Sequence, residues 1–381
     1  MGLRLLEGFE TSSNATIWGR IWEGLVGAPN SIFLSGAINR AGNAIQSGSG
    51  FIATTKPLTA TPQGTMIVGF AFRSANGSNT IEGASPSFNK PGMALRNDDG
   101  EQIRLEFFND SANGTKPGGY YYRIRAVRGV TTIATTNEKW RIRDSDEGWI
   151  VFEWKAVIHD TTGSVELRYW DPKSKLGIQT ATWDAAVTNV DTQNQATAGA
   201  NRIQIIADSD NPANEVAWDD IHVLDAAGAK NNDFIGPVVV VRQTLSGDGA
   251  TVDWDLRDAT STDDAWDEVN NPDDDGRLVS DVVGAVHLAA MTAQTYIRTV
   301  PVVGVRLDHC ANRQSAAGSI TLHFRWRKTT GTPAETDGDN YVVDSSSWRG
   351  EFDVREDDPN TGTGFVIADL DAIQVGVRNG G

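Results

Sequence analysis

The stretch Gly148–Asp171, GWIVFEWKAVIHDTTGSVELRYWD, decides the fold class. Ile150, Phe152, Trp154, Ala156 and Ile158 recur at every second position, with Glu153 and Lys155 between them, so the apolar set shares one face of an extended strand. His159–Gly163, HDTTG, supplies a turn, and Val165, Leu167 and Tyr169 carry the period of two back again. The segment predicts a β-hairpin with one apolar and one polar face. Working outward, the same alternation returns in IRLEFFND, where Ile103, Leu105 and Phe107 oppose Arg104 and Glu106. It returns again in YYYRIRAV, where Tyr120, Tyr122, Ile124 and Ala126 oppose Tyr121, Arg123, Arg125 and Val127. TMIVGFAFRS, NRIQIIAD and VAWDDIHVLD add further strands, separated by Gly- and Asn-rich loops such as NDSANGTKPGG. No segment before residue 226 sustains a helical period over three turns, and strands at this spacing indicate a sandwich or jelly roll, with an open barrel as the alternative.

After residue 236 the strand pattern continues through PVVVVRQTL, AQTYIRTVPVVGVRLDHC, SITLHFRWRK and RGEFDVRED. DAWDEVNN and IADLDAIQ are short helical candidates. The polar, Gly-containing run Asp225–Asn232 reads as a connector between two domains. The expectation is an all-β chain of two β-sandwich domains, residues 1–226 and 227–381, and 381 residues suffice for two cores.

The formal net charge is −17, with 25 acidic and 20 basic residues up to residue 226 and 25 against 13 beyond it. Duplex DNA and anionic membranes are poor partners for such a chain, because each phosphate contact needs a Lys or Arg. Neither nucleic acid binding nor membrane insertion is expected: the longest apolar runs, such as IGPVVVV, are too short to span a bilayer. MGLRLLEGFETSSN holds no apolar run of signal-peptide length. Cys310 is the single cysteine, which excludes an intrachain disulfide, a cysteine-built zinc cage and a CxxC redox pair. The sequons at Asn14, Asn76, Asn109 and Asn113 read as polar loops rather than glycosylation sites.

Five histidines, His159, His222, His287, His309 and His323, show no metal-site spacing. His309 and Cys310 are neighbours on a strand and point to opposite faces, which argues against a thiolate–imidazole pair. A glycoside hydrolase needs two carboxylates roughly 5–10 Å apart across the scissile bond. Glu153 and Glu166 could meet across the hairpin, but Lys155 and Arg168 beside them favour an ordinary cross-strand charge lattice, so no catalytic residue is assigned. Asn271, Asp273 and Asp275 before Gly276 resemble the start of a Ca2+ loop, but the bidentate acid such a loop requires would fall at Val282, and a solvated acidic loop is the competing reading. Tyr121, Arg123, Glu153, Arg168 and Trp170, together with Arg125, Lys155 and Glu166, form a candidate glycan-binding face, where rings stack on sugars and charged groups meet hydroxyls. A solvated outer face, or one covered by a neighbouring subunit, would read the same.

EGFET (Glu7–Thr11), the hairpin above and EVAWDDIHVLD (Glu215–Asp225) resemble, in that order, the concanavalin A-like, laminin G-like jelly-roll domains. DAAGAKNNDFIGPVVVVRQTLSGDGATVDWD, AWDEVNNPDDDGRLV and DPNTGTGFVIADLDAIQVGV then resemble the module that follows such a jelly roll in virion structural proteins of tailed bacteriophages, tail-fibre-like proteins among them. Ile235, Pro237 and Phe365 depart from the expected Leu, acidic residue and Trp. The resemblance implies a virion component, on the tail or as a capsid decoration, assembled in the host cytoplasm. Its implied partners are other virion proteins, sister copies of the chain and a host cell-surface glycan. The alternative is a glycan-binding or polysaccharide-depolymerising protein.

Overall fold

The structure is a computed structural model that describes residues 2–9, 22–26, 45–47, 52–74, 91–109, 122–140, 149–171, 176–206, 216–241, 243, 245–257, 277–292, 301–312, 319–329, 334–344 and 349–381. The chain forms two compact units, Met1–Val241 and Arg242–Gly381.

The first unit contains β1 (Leu3–Glu7), β2 (Trp22–Val26), β3 (Ile45–Ser47), β4 (Ile52–Thr55), β5 (Thr65–Ser74), β6 (Gly92–Asn97), β7 (Gly100–Asn109), β8 (Tyr122–Arg128), β9 (Thr131–Thr135), β10 (Ile150–Val157), β11 (Gly163–Trp170), β12 (Gln179–Thr180), β13 (Thr188–Val190), β14 (Arg202–Ile206) and β15 (Val216–Asp225). They build an eight-stranded antiparallel sheet, β1-β15-β5-β10-β11-β12 with β3 on β15 and β13 on β11, and a seven-stranded one, β2-β4-β14-β6-β7-β8-β9. The hairpin predicted from Gly148–Asp171 is β10–β11, with Trp154 opposite Leu167, and the His159 ring closes its turn by accepting the amides of Thr161 and Thr162. Alternation puts Phe70, Phe72, Phe152 and Trp218 on the inner side of one sheet and Phe107 on that of the other. Phe72 stacks on Phe107 at 4.0 Å, and Phe152 meets it edge-on at 5.4 Å. All five rings are fully buried, and each such pair adds about 0.5–1.5 kcal/mol beyond its area term. Two facing sheets with the chain passing between them make the jelly-roll sandwich that the resemblance implied.

The second unit contains β16 (Leu245–Val252), β17 (Asp255–Arg257), β18 (Arg277–Val279), β19 (Val286–Met291), β20 (Val305–Ala311), β21 (Ile320–Lys328), β22 (Ala334–Val343), β23 (Arg349–Arg355), β24 (Asp357–Asp358), β25 (Thr363–Gly364), the four-residue helix α1 (Ile367–Leu370) and β26 (Ile373–Asn379). A five-stranded sheet, β16-β19-β26-β21-β22, is faced by the β20–β23 pair. Phe324 and Trp326 lie opposite Val377 and Val375 on one face of it. Leu307 of β20 packs into both core clusters there, around Phe324 and around Trp326. The Trp326 indole donates to buried Asp353 at 2.9 Å. IADLDAIQ becomes α1 and the start of β26, whereas DAWDEVNN lies outside the described residues. His309 faces Tyr341 and Phe324.

The division falls after Val241 and not after residue 226. Residues 226–241, including the PVVVV run expected to open the second domain, hold no strand. They form a strap packed on the first unit. Pro237 has no N–H to give a sheet, and the Val240 amide donates to the Asp220 carboxylate at 2.7 Å instead of to a neighbouring strand. The next strand among the described residues begins at Leu245.

Candidate functional site

The residues gathered from the sequence into one polar face lie on two. Arg123 and Arg125 are on β8 of the seven-stranded sheet; Glu153, Lys155, Glu166, Arg168 and Trp170 are on β10 and β11 of the other. Each group points away from the core, so the sandwich separates them. Tyr121 lies outside the described residues, as do Asn271, Asp273 and Asp275 of the expected Ca2+ loop. Among the described residues no group of three or more His, Cys, Asp or Glu side chains is placed to hold a metal ion.

The outer side of the eight-stranded sheet is occupied by the strap. Glu153 is only 3% exposed. Its Oε1 accepts the Ile235 amide at 2.8 Å and its Oε2 the Gly236 amide at 3.0 Å. The same Oε1 meets His222 Nε2 at 3.1 Å. His222, Gly69 and Glu153 occupy one row across β15, β5 and β10. Glycine at 69 is what lets the imidazole cross the middle strand, since a Cβ there would lie 1.9 Å from His222 Cε1. Lys155 pairs with Asp233 at 3.0 Å, and that contact, together with the Phe234 amide, holds the Asp233 carboxyl below its usual range against the opposing effect of burial. Arg168 lies 3.9 Å over the Phe234 ring and pairs with Glu166 at 3.1 Å. Glu153 and Arg168 are directly opposite in register, as are Lys155 and Glu166, but the simple cross-strand lattice does not form because the strap takes Glu153 and Lys155. Trp170 packs, partly buried, against Ala71, Trp149, Val151 and Ala217. This face is thus not an open sugar platform.

The outer side of the seven-stranded sheet carries a different array. Alternation on β7 that buries Ile103, Leu105 and Phe107 inward sends Arg104 and Glu106 outward. Glu106, 2% exposed, accepts Arg104 Nε on Oε1 at 2.6 Å and Arg125 Nε on Oε2 at 2.5 Å. Arg104 also gives Nη1 to Glu101 at 2.5 Å and to the Gly129 carbonyl at 2.9 Å. Burial opposes the Arg104 charge, but Glu101 and Glu106 outweigh it and hold the guanidinium firmly protonated. Burial raises the Glu101 carboxyl above its ordinary range, and Arg104 opposes that shift. Arg125 stands 5.4 Å over the Phe108 ring. Arg123 donates to the Thr136 carbonyl at 2.5 Å and lies 3.8 Å from Asp184. On the flanking strands Arg96 donates to Gln204 at 2.9 Å, and Arg202 binds Asp98 at 2.9 Å. Arg104 and Glu106 stood in the sequence as a strand's polar face; nothing in the alternation marked them as a site.

No family model matches the sequence, and no curated protein matches it. Partial likenesses exist among solved structures. A GH43 glycoside hydrolase with an engineered active site is 12% identical over 59% of this chain, with a TM-score of 0.34. The metal-free carbohydrate recognition domain of Emp46p is 11% identical over 57%, with a TM-score of 0.33. SO2946, a protein of unknown function from Shewanella oneidensis MR-1, is 14% identical over 60%, with a TM-score of 0.34. The chain spans 41% of the GH43 structure, 94% of the Emp46p domain and 91% of SO2946.

Proposed function

We propose that the first unit is a non-catalytic glycan-recognition module, with the outer side of its seven-stranded sheet as the binding surface. The observation that carries this reading is the Arg104–Glu106–Arg125 lattice. Its donors and acceptors are fixed by one another before any ligand arrives, so a saccharide meets them without paying to order them. On the opposite outer side the protein's own strap covers Glu153 and engages Lys155. Catalysis is disfavoured because Glu101 and Glu106 both bind the Arg104 guanidinium, whereas glycoside cleavage needs an acid and a base free on either side of one bond. The order of sequence segments supports a virion setting, on a tail or a capsid, with the second unit attaching to other virion proteins or to sister copies.

A panel of immobilised glycans probed with the intact chain, followed by titration calorimetry of whatever binds, tests the module. The expected result is saturable binding to a saccharide class, weakened about tenfold by Arg123→Ala, whose side chain is one of the half-exposed members of the array. Absence of any saccharide binding overturns the recognition reading, and release of new reducing ends overturns its non-catalytic part. Immunogold labelling of purified particles addresses the virion setting: label on tail or head supports it, and unlabelled particles count against it.

A further inference from the structure

Resting on that recognition reading, we infer that the ligand carries a carboxylate, an acidic saccharide of the uronate or sialate class, and that Arg125 receives it. The first observation is where the positive charge lies. The chain is strongly acidic, yet the strands of the seven-stranded sheet contain six arginines, no lysine and three glutamates. The strands of the eight-stranded sheet contain four basic residues against six acidic ones. Asp184, Asp191 and Asp98 from the adjoining loops pair with Arg123, Arg128 and Arg202, which leaves the basic surplus of this face around Arg96, Arg104 and Arg125. That patch is complementary to an anionic ligand, and the absence of lysine selects further. Guanidinium is a planar fork that pairs two N–H groups with the two oxygens of a carboxylate, while an ammonium is a point charge without that geometry.

The second observation is how the forks are held. Glu106 spends one oxygen on Arg104 Nε and the other on Arg125 Nε, which places two guanidiniums side by side on one buried carboxylate. Among the described residues Arg125 makes no hydrogen bond from Nη1 or Nη2, and Arg104 makes none from Nη2. Arg125 keeps 22% of its side chain exposed. Its outer edge is a preset bidentate site with the Phe108 ring beneath the cation. Glu106 acts here as a positioning residue that the ligand does not touch.

Titration calorimetry of the intact chain with oligogalacturonate, and with the same oligomer after chemical reduction of its carboxyl groups, tests this directly. The expected result is acid-oligomer binding about tenfold or more tighter than that of the reduced oligomer. Arg125→Lys keeps the charge but removes the fork. It is expected to lose about tenfold toward the acid oligomer and clearly less toward the reduced one, so that the preference between the two shrinks. The comparison of two ligands on the wild-type chain stands even if that variant misfolds. Equal affinity for both oligomers overturns the carboxylate while leaving glycan recognition in place; binding of neither, with no other glycan bound, overturns both. Dextran sulfate binding as tightly as the acid oligomer, undiminished in Arg125→Lys, shows an unselective cationic surface and also overturns the proposal.

Discussion

Two histidines are buried in this protein under opposite circumstances. His222 has Glu153 as a partner, while His287 on β19 is 3% exposed and neither ring nitrogen has a hydrogen-bond partner. It faces the apolar side of the second unit's sheet, directly opposite Val377. Burial lowers its proton affinity, against the pull of Asp248 and Asp253. The folded state therefore holds a neutral imidazole, whereas the unfolded chain protonates it below the ordinary histidine value of about 6.5. This contribution to stability is intact above that value and is lost as pH falls through it toward the lower folded value. His287→Leu removes the titration. The second unit's melting temperature, followed by calorimetry from pH 7 to 5, is expected to fall more steeply in the wild type than in the variant; parallel curves would remove the assignment.

The strap is fastened through Glu153, Lys155 and Asp220, which take its amides and Asp233. Glu153→Ala leaves the Ile235 and Gly236 amides and His222 without their acceptor, a loss of about 1–3 kcal/mol for buried donors. Hydrogen exchange at those two amides is expected to quicken roughly ten- to hundredfold, with the amides of β10 unchanged. Unaltered exchange would show that the strap is held by its side chains alone. The strap also marks where the sequence stops being legible. Alternation located β7, β8, β10, β11 and β15 and correctly turned Glu153 and Arg123 away from the core. It has no means of telling which of two sheets a strand joins, so it merged two outer faces into one. Nor does it tell an outward residue from a solvated one, because the segment that covers Glu153 begins about 80 residues later and lacks any periodic signal. Four successive valines after Pro237 imitate a strand, and only the Asp220 carboxylate reveals where the Val240 amide goes. Arg104 and Glu106 were visible as residues, but a lattice needs the β7–β8 register, in which Glu106 faces Arg125.

At the scale of the whole chain, the strap decides where the first unit can be cut. A fragment ending at Val241 retains the acceptors and donors of Glu153, Lys155 and Asp220, whereas one ending at residue 226 exposes the Glu153–His222 row. The longer fragment is expected to melt higher, by about 2–4 °C for each kcal/mol the strap supplies to a unit of this size. Equal melting temperatures would show that the strap belongs to the first unit by proximity and not by energy.

β1 pairs with β15, and Arg4 bridges to buried Asp225 across 221 residues of chain. During synthesis at roughly 5–20 residues per second, β1 waits about 10–40 s for its partner to leave the ribosome. Throughout that interval Leu3, Leu5 and Leu6, all buried in the finished sheet, have no strand to cover them. A chaperone that binds short apolar segments at the ribosomal exit is therefore expected to raise the yield of the first unit.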